Sequence, residues 1–548
     1  MIEENERISS SHSPDDGSPT STAVESKREE DTDYDSPIDN VEPKAGRPPI
    51  SLPREIAFVF TVCTAQLMTQ AGLGQAIAPL RIIGASFGVD NDPAQLAWFP
   101  AAYSLTVGTF ILIAGRLGDL YGHKRLFVIG YLWFGLWSLI AGFAVYSGPI
   151  LFACCRAFQG IGPALLLPNG IAILGTTYEP GVRKAMVFSA FGALAPSGFI
   201  VGALFSSLFA EYVWWPWAYW VMGIFCFLFA IASILLIPYT QPPQPFDNSQ
   251  SIWLRTDVAG CLTGVSGLVL VNFAWNRAPA VGWSEPYVYV LLIVGLVFLV
   301  IFGQIEKRTK FPLVPIASMT ADIGFIFACV ACGWAAFGIW LYYSWQFVEK
   351  LRGVSPLLTT AQFSPAAITG FIAAITTGLV FTRVTGSVLM IIALTAFSVG
   401  PILLATAPID QTYWAQLFVA IIVMPFGMYA VHSAALSHHG TNEYRDISFP
   451  VATLLLSNAM PREHQGLSAS LVATIINYSL SLALGFAGTV EVHVNDGGND
   501  LLRGYRGAWY LSIGMSVLGI VLAMFYGLYE HRKSKKTKTD SPSSTEDK

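Results

Sequence analysis

Charge is what this sequence has least of. Only 12% of its 548 residues are Asp, Glu, Lys or Arg, about half the roughly 25% of a soluble domain. So sparse a complement cannot cover a water-facing surface, which excludes a soluble α/β enzyme of this length. Cysteine is scarce outside greasy segments too. All seven (Cys63, Cys154, Cys155, Cys226, Cys261, Cys329 and Cys332) fall inside apolar runs, so a framework of exterior disulfides is excluded. Cys329 and Cys332 form a CxxC, but on one face of an apolar helix, where small packing residues are expected rather than a redox or metal pair. No phosphate-binding Walker A loop is present, so ATP is not the expected energy source. His438-His439 have no zinc-ligand spacing to other ligands, and no metal is expected. The net charge of -5 leaves no footprint for nucleic acid.

Hydrophobic residues fill the deficit, at 53% of the chain with a mean hydropathy of +0.53. A hydrocarbon core about 30 Å thick needs roughly 20 apolar helical residues to cross. Such runs lie near 55–78, 96–114, 125–146, 150–176, 185–209 and 217–238. After a Pro-rich linker (Gln241-Pro-Pro-Gln-Pro) they resume near 257–275, 286–304, 322–345, 362–382, 388–408, 414–430, 466–490 and 508–529, fourteen in all. The expected fold class is an all-α polytopic membrane protein. Residues 1–50, rich in Ser, Asp, Glu and Pro, cannot bury a core and are expected to be a disordered tail. They lack a basic stretch followed by an apolar one, so the first span must serve as its own insertion signal.

Orientation follows from Lys and Arg in the short loops. With a cytosolic N-terminus, the inner loops hold Arg116, Lys124, Arg125, Arg183, Lys184, Arg255, Lys307, Arg308, Lys310, Arg383 and Arg462. The outer loops hold only Arg81, Arg277, Lys350, Arg352, Arg503 and Arg506. Both termini are therefore expected in the cytosol, including the basic tail 531–548.

The loop after the second run reads Gly115-Arg-Leu-Gly118-Asp119-Leu-Tyr-Gly122-His-Lys124-Arg125. Its glycines permit close helix ends and a tight turn, and Asp119 can pair with a basic residue across an interface. An ordinary basic loop is the plainer reading. The fourth run carries Arg156-Ala-Phe-Gln159-Gly160, and a charge in a span normally faces a cavity or a buried partner. A purely structural Arg156, bonded to backbone carbonyls, is the rival. The fifth carries Gly192-Ala-Leu-Ala-Pro196-Ser-Gly198-Phe-Ile-Val-Gly202, small residues for close packing and a Pro for a bend. Gln66 and Gln70 share one helix face; with Asn169 and Asn477 they are cavity candidates, interhelical bonding being the rival. Asn272 and Tyr478 have the same standing. Trp214, Trp215 and Trp217 stand at a span end, where an interfacial belt explains them.

The first of these strings resembles the G-x-x-x-D-x-x-G-x-[RK] signature of the major facilitator superfamily, the second its R-x-x-Q-G motif. The third is similar to a degraded antiporter motif, Ala195-Pro196 standing where Gly-Pro is usual. Pro168–Pro180 and Pro450–Pro461 are weakly alike, as parallel half-repeats would be, but the second copy is interrupted by 429–445. With those residues removed, the string Phe426-Gly-Met428-Asp446-Ile-Ser-Phe-Pro450 resembles fungal aminotriazole-resistance exporters of the 14-span drug:proton antiporter branch. Back-translation permits GTATGC across Met428-Tyr429-Ala430, CTAAC across Thr441-Asn442 and TATAG across Tyr444-Arg445, so a retained intron is expected; a genuine polar loop is the alternative. In the joined form Asp446 is the only carboxylate deep in a run and is the candidate proton-coupling acid.

The resemblance covers about residues 50–530. It implies a six-helix bundle at 51–240, a linker with two additional spans at 241–320 and a second bundle at 321–530. It further implies a gating role for Gly115, Gly118, Asp119, Gly122, Lys124 and Arg125, and proton or substrate handling for Arg156, Gln159 and Gly160. The implied activity is export of xenobiotics, aminotriazole or borate, driven by a proton gradient, by a monomer in the plasma membrane, with the vacuolar membrane as alternative. No cofactor and no catalysis are expected. An importer on the same fold and a non-transporting sensor are the competing functions; short tails count against the sensor.

Overall fold

Proline and glycine set where the helices begin and turn. Pro93 opens one helix at its first position, where a missing N–H costs nothing, and Asp92 Oδ1 caps it by accepting from Ala94 N at 3.1 Å and Gln95 N at 3.0 Å. The same helix ends at Gly122, whose φ of 95° suits a residue without Cβ. In the computed structural model, residues 51–178, 182–238, 256–309, 312–314, 321–381, 386–434 and 465–540 are described. They belong to one unit, Gly46–Lys548, and among them there is no strand.

The helices are α1 (Leu52–Ile77), α2 (Leu80–Ser86), α3 (Pro93–Tyr121), α4 (His123–Phe143), α5 (Pro149–Thr177), α6 (Val182–Tyr212) and α7 (Pro216–Leu236). Then follow α8 (Val258–Val281), α9 (Pro286–Glu306), α10 (Ala321–Gln346), α11 (Pro356–Phe363), α12 (Pro365–Phe381), α13 (Gly386–Thr406), α14 (Gln416–Ala434), α15 (Gln465–Val494) and α16 (Leu501–Asp540). A π-helical turn, Phe347–Leu351, extends α10. Each of the fourteen apolar runs is a helix. Among the described residues, twelve helices are long and apolar enough to cross a membrane, and Gln416–Met428 is a shorter apolar segment.

α1 packs on α6, and α3, α4, α5 and α7 pack on one another. In the other half α10, α13, α14, α15 and α16 form the corresponding group. The halves meet along α3 and α15, and at α6 with α11 and α12. Contact between α1 and α6 is close because of glycine. A Cβ on Gly198 would overlap the Leu67 carbonyl, and one on Gly202 the Ala71 carbonyl. Of the added pair, α8 lies beside α3 and α15, and α9 packs on α8. Asn272 Oδ1 accepts from Ser481 Oγ at 3.1 Å and from Asn276 Nδ2 at 2.9 Å, and Tyr478 donates to Leu268 O at 3.1 Å. Asn272 and Tyr478 thus join helices.

Two expectations need correction. Trp215 is no interfacial residue: it is 2% exposed, packs among Phe87, Phe152 and Tyr219, and donates to Ser86 Oγ at 3.0 Å. Trp214 and Trp217 remain exposed. Nor is Asp446 the sole carboxylate deep in a run, because α10 and α15 outrun 345 and 490 and carry Glu349 and Glu491 into the buried interior. Of the suspected insertion, 429–434 continue α14; 435–464, with Asp446, His438-His439 and the second repeat copy, lie outside the described residues, as do 1–50.

Candidate functional site

Between the two halves lies a cavity of about 240 Å³. Its wall is mostly aliphatic and aromatic, with Phe188, Phe191, Phe199, Trp334, Phe337 and Trp340 prominent. Polar groups enter at four places: Gln66 and Gln70 from α1, and Ser470 and Asn477 from α15. None of its described lining residues is ionisable. Gly192 and Pro196 of α6 stand in the wall, whereas Gly198 and Gly202 sit against α1. Pro196, inside α6, has no N–H to give to the helical ladder, so one backbone bond is missing beside the cavity.

Asn169 is not in that wall. Its neighbours Pro168 and Ile171 are, but at about 100° per residue Asn169 turns toward α3 and α4. Its Nδ2 donates to Leu165 O at 2.7 Å and Ala114 O at 3.3 Å, and its Oδ1 meets His123 Nδ1 at 2.9 Å. That places it against the Gly115–Arg125 loop, where a Cβ on Gly118 would overlap Asn169 Oδ1. Asp119 lies 3.5 Å from His123 Nε2. Lys124 Nζ caps the end of α7 by donating to Ile234 O at 2.9 Å and Ile237 O at 2.6 Å. Arg125 and Gly122 complete the turn.

Arg156 is 0% exposed and sealed from the cavity. Its guanidinium donates to Phe99 O at 3.1 Å, to Gly72 O at 2.6 Å and to Gln159 Oε1, and rests over the Tyr103 ring at 4.5 Å. Gln159 Nε2 donates onward to Ser138 Oγ at 2.7 Å. Gly160 lets α5 approach α3, for a Cβ there would overlap Thr106 and Tyr103. This pin ties α5 to α1 and α3 through carbonyl oxygens and to α4 through the Ser138 hydroxyl.

Buried carboxylates occupy both ends of the molecule, and the apolar runs gave little sign of them. At the loop end Glu55, 6% exposed, pairs with Arg183 and accepts from Tyr178 Oη at 2.9 Å. Burial first, then the Glu55 carboxylate, pushes the Tyr178 phenol well above its ordinary range, so it stays a donor. At the far end Glu491 accepts from Tyr343 Oη at 2.8 Å. Glu349, in the π-helical turn, accepts from Trp345 Nε1 at 2.8 Å. Trp345 in turn packs on cavity residues Phe199 (ring centroids 5.6 Å apart) and Phe363 (4.4 Å). The sequence signal for such groups is an acid within one turn of an apolar run's end, followed by aromatics from a neighbouring helix.

The far end is also where the halves are fastened. Glu211 Oε1 at the end of α6 accepts from Leu357 N at the start of α11 at 2.6 Å, and Ser207 Oγ meets Thr360 Oγ1 at 3.2 Å. With Phe199 against Trp345, these contacts close the cavity over its far side.

Known proteins are similar to this chain in sequence and in fold. Residues 60–445 match the family model of the Major Facilitator Superfamily. A low affinity ammonium transporter of Saccharomyces cerevisiae is 59% identical over 488 residues, which cover 89% of this chain and 91% of that protein. The efflux pump terJ of Aspergillus terreus is 56% identical over 498 residues, 91% of this chain and 93% of the pump. The aminotriazole resistance protein of S. cerevisiae is 38% identical, covering 88% and 86%. Among solved structures, a mutant of the peptide transporter POT bound to sulfate superposes with a TM-score of 0.59 at 15% identity, over 86% of this chain and 94% of that one, a likeness of fold alone. Two helical halves around an uncharged central cavity, the glycine-rich loop and relatives matching nearly end to end agree on one point: this chain is a non-enzymatic transporter of the major facilitator superfamily.

Proposed function

We propose that the chain exports small, uncharged organic molecules by alternating access, in exchange for protons. The observation that carries this reading is the cavity. Its volume of about 240 Å³ suits a molecule of several fused or linked rings rather than a bare ion, and its wall offers apolar and aromatic surface with four hydrogen-bonding side chains. A charged cargo would enter a low-dielectric wall with no opposite charge to meet it. Gln66, Gln70 and Asn477 orient the cargo, and Gly192 with Pro196 gives α6 its bend. Efflux pump terJ and the aminotriazole resistance protein carry names that agree with export of such molecules.

Proton coupling stays part of the proposal. Asp446 is its assigned acid in the form lacking 429–445; the loop Gly115–Arg125 and the pin around Arg156 stiffen the half that rocks. We place the protein as a monomer in the plasma membrane with both termini cytosolic. A second reading has one support, the name of the 59% identical relative, a low affinity ammonium transporter. Its cargo would be the neutral amine, since the wall holds no anion.

The test uses the full chain, with and without 429–445, in proteoliposomes bearing an imposed pH gradient. Radiolabelled aminotriazole and methylamine are followed in parallel with an internal pH dye. Coupled counterflow of aminotriazole and protons, lost when the gradient is collapsed and lost in Asp446→Asn, is the expected result. Gradient-independent aminotriazole flux would remove the coupling. Methylamine flux alone would replace the export reading with the second.

A further inference from the structure

Two carboxylates at the loop end belong to the added helix pair and take no part in the cavity. Asp257 precedes α8 with a φ of 46° and caps it, its Oδ1 accepting from Gly260 N at 3.1 Å. Glu306 ends α9, and its Oε2 accepts from Val314 N at 3.1 Å. They are 5% and 3% exposed. The remaining oxygen of each, Asp257 Oδ2 and Glu306 Oε1, has no hydrogen-bond partner among the described residues. The two helices pack with Gly264 against Phe302 and Gly267 against Leu299, a register that brings their carboxyl-bearing ends side by side, and Asp257 lies within electrostatic range of Glu306.

Two bare carboxylates so placed repel without water to screen them, and each leaves an acceptor unsatisfied. A single proton removes both faults. It converts the contact into an O–H···O bond that uses both orphaned oxygens. The other groups facing the pair agree. Cys261 of α8 lies within electrostatic range of Asp257, Glu306 and Arg116 of α3. Asp119 of α3 draws on the same Arg116, so the cluster is rich in carboxylates, and one proton lowers the negative charge that a buried site disfavours. Lys307 and Arg308, next in the chain, are exposed, so water reaches the edge of the site.

What Glu306 holds gives the proton a consequence. Through Val314 N it fixes the stretch 312–314, and Leu313, 2% exposed, is packed with Leu112 of α3 and Leu471 of α15, among Cys261, Phe302 and Phe327. α3 and α15 belong to opposite halves. Leu313 is therefore a wedge set across the line along which the halves part at the loop end.

We propose that Asp257 and Glu306 share one proton, and that this proton keeps Leu313 seated between α3 and α15. When it leaves for water at the loop end, the O–H···O bond breaks and the two carboxylates repel. Glu306 then shifts away from Val314 N and the halves are free to separate there. The site deepens the proton-coupled reading and rests on it, giving a proton a place outside the cavity and apart from Asp446.

The experiment measures shape rather than flux, so its failure is distinct from failure of the export reading. Spin labels are placed at Tyr121→Cys and Tyr529→Cys, both exposed, in the full chain carrying Cys154→Ser to remove the exposed native thiol. Their separation is read by double electron–electron resonance in nanodiscs from pH 5 to pH 9. The expected result is a distance that grows with pH in a one-proton titration. Asp257→Asn and Glu306→Gln, whose amides replace the shared proton, hold the short distance throughout. Glu306→Ala, which cannot grip Val314, shows the long distance at every pH. An invariant wild-type distance, or Asn and Gln variants that titrate with the wild-type midpoint, would overturn the proposal. A titrating distance in a protein whose export ignores the proton gradient would keep the dyad and remove the coupling.

Discussion

The fastening at the far end makes the sharpest prediction, and Glu211→Ala is the perturbation. Glu211 Oε1 accepts from Leu357 N at 2.6 Å, a charge-assisted bond between α6 of one half and α11 of the other. Hydrogen bonds to charged groups contribute about 1.5–3 kcal/mol. Glu211 is half-buried, which argues for the middle of that range, about 2 kcal/mol. The bond exists only while the far side is closed, so its loss acts wholly on that equilibrium and shifts it about 30-fold toward opening, at 1.4 kcal/mol per decade. The assay places a thiol at Ala366→Cys, in the cavity wall beneath the closure, in a Cys154→Ser background. A membrane-impermeant maleimide is then added from the far side. Labelling in Glu211→Ala should be at least tenfold faster than with Glu211 intact, and Ser207→Ala should give a smaller gain, since Ser207–Thr360 is a neutral pair. Equal labelling rates with and without Glu211 would refute the assignment of this contact as the closure.

Two further predictions concern the helix pins. Arg156→Met removes the charged donor from Gly72 O, Phe99 O and Gln159 Oε1 while filling part of its volume; the two carbonyls keep their helical N–H partners, but losing charge-assisted bonds and orphaning Gln159 Oε1 costs about 2–3 kcal/mol, read as a lower melting temperature in detergent, with Arg156→Lys recovering only part. A melting temperature unchanged in Arg156→Met would show that the pin is dispensable. Gly202→Val drives a branched side chain into the Ala71 backbone and costs about 2–3 kcal/mol through overpacking, so the protein should lose its monodisperse peak on gel filtration, whereas Gly303→Val, with open space around it, should not.

The helices were legible because the bilayer sets one length and an apolar run of that length is hard to mistake. Their ends were not. Reading a charge as the close of a run stopped 322–345 before Glu349 and 466–490 before Glu491, although both helices continue with the acid turned inward. A charged side chain can stay in a span when Trp345 or Tyr343 supplies a donor; Trp345 stands one turn before Glu349 on the same strip of helix, whereas Tyr343 meets Glu491 only once helices pack. The cavity was half legible. Gln66, Gln70 and Asn477 reach it, but Asn169 faces the loop because one residue of rotation separates it from the wall. Motif strings marked Arg156 and Asp119 as special; the carbonyls around the one and the histidine beside the other came from the fold. No pattern announced that Asp257 and Glu306, about fifty residues apart, would meet.

α9 has a consequence of its own. Of its 21 residues only Val288, Gly295 and Glu306 are buried, and apart from the face packed on α8 its girth is left to acyl chains. At 1.5 Å per residue it measures about 32 Å, close to the hydrocarbon thickness of an ordinary bilayer. A thicker or sterol-stiffened membrane would drag on this helix before any other, making lipid composition a natural tuning knob for the transporter's working rate.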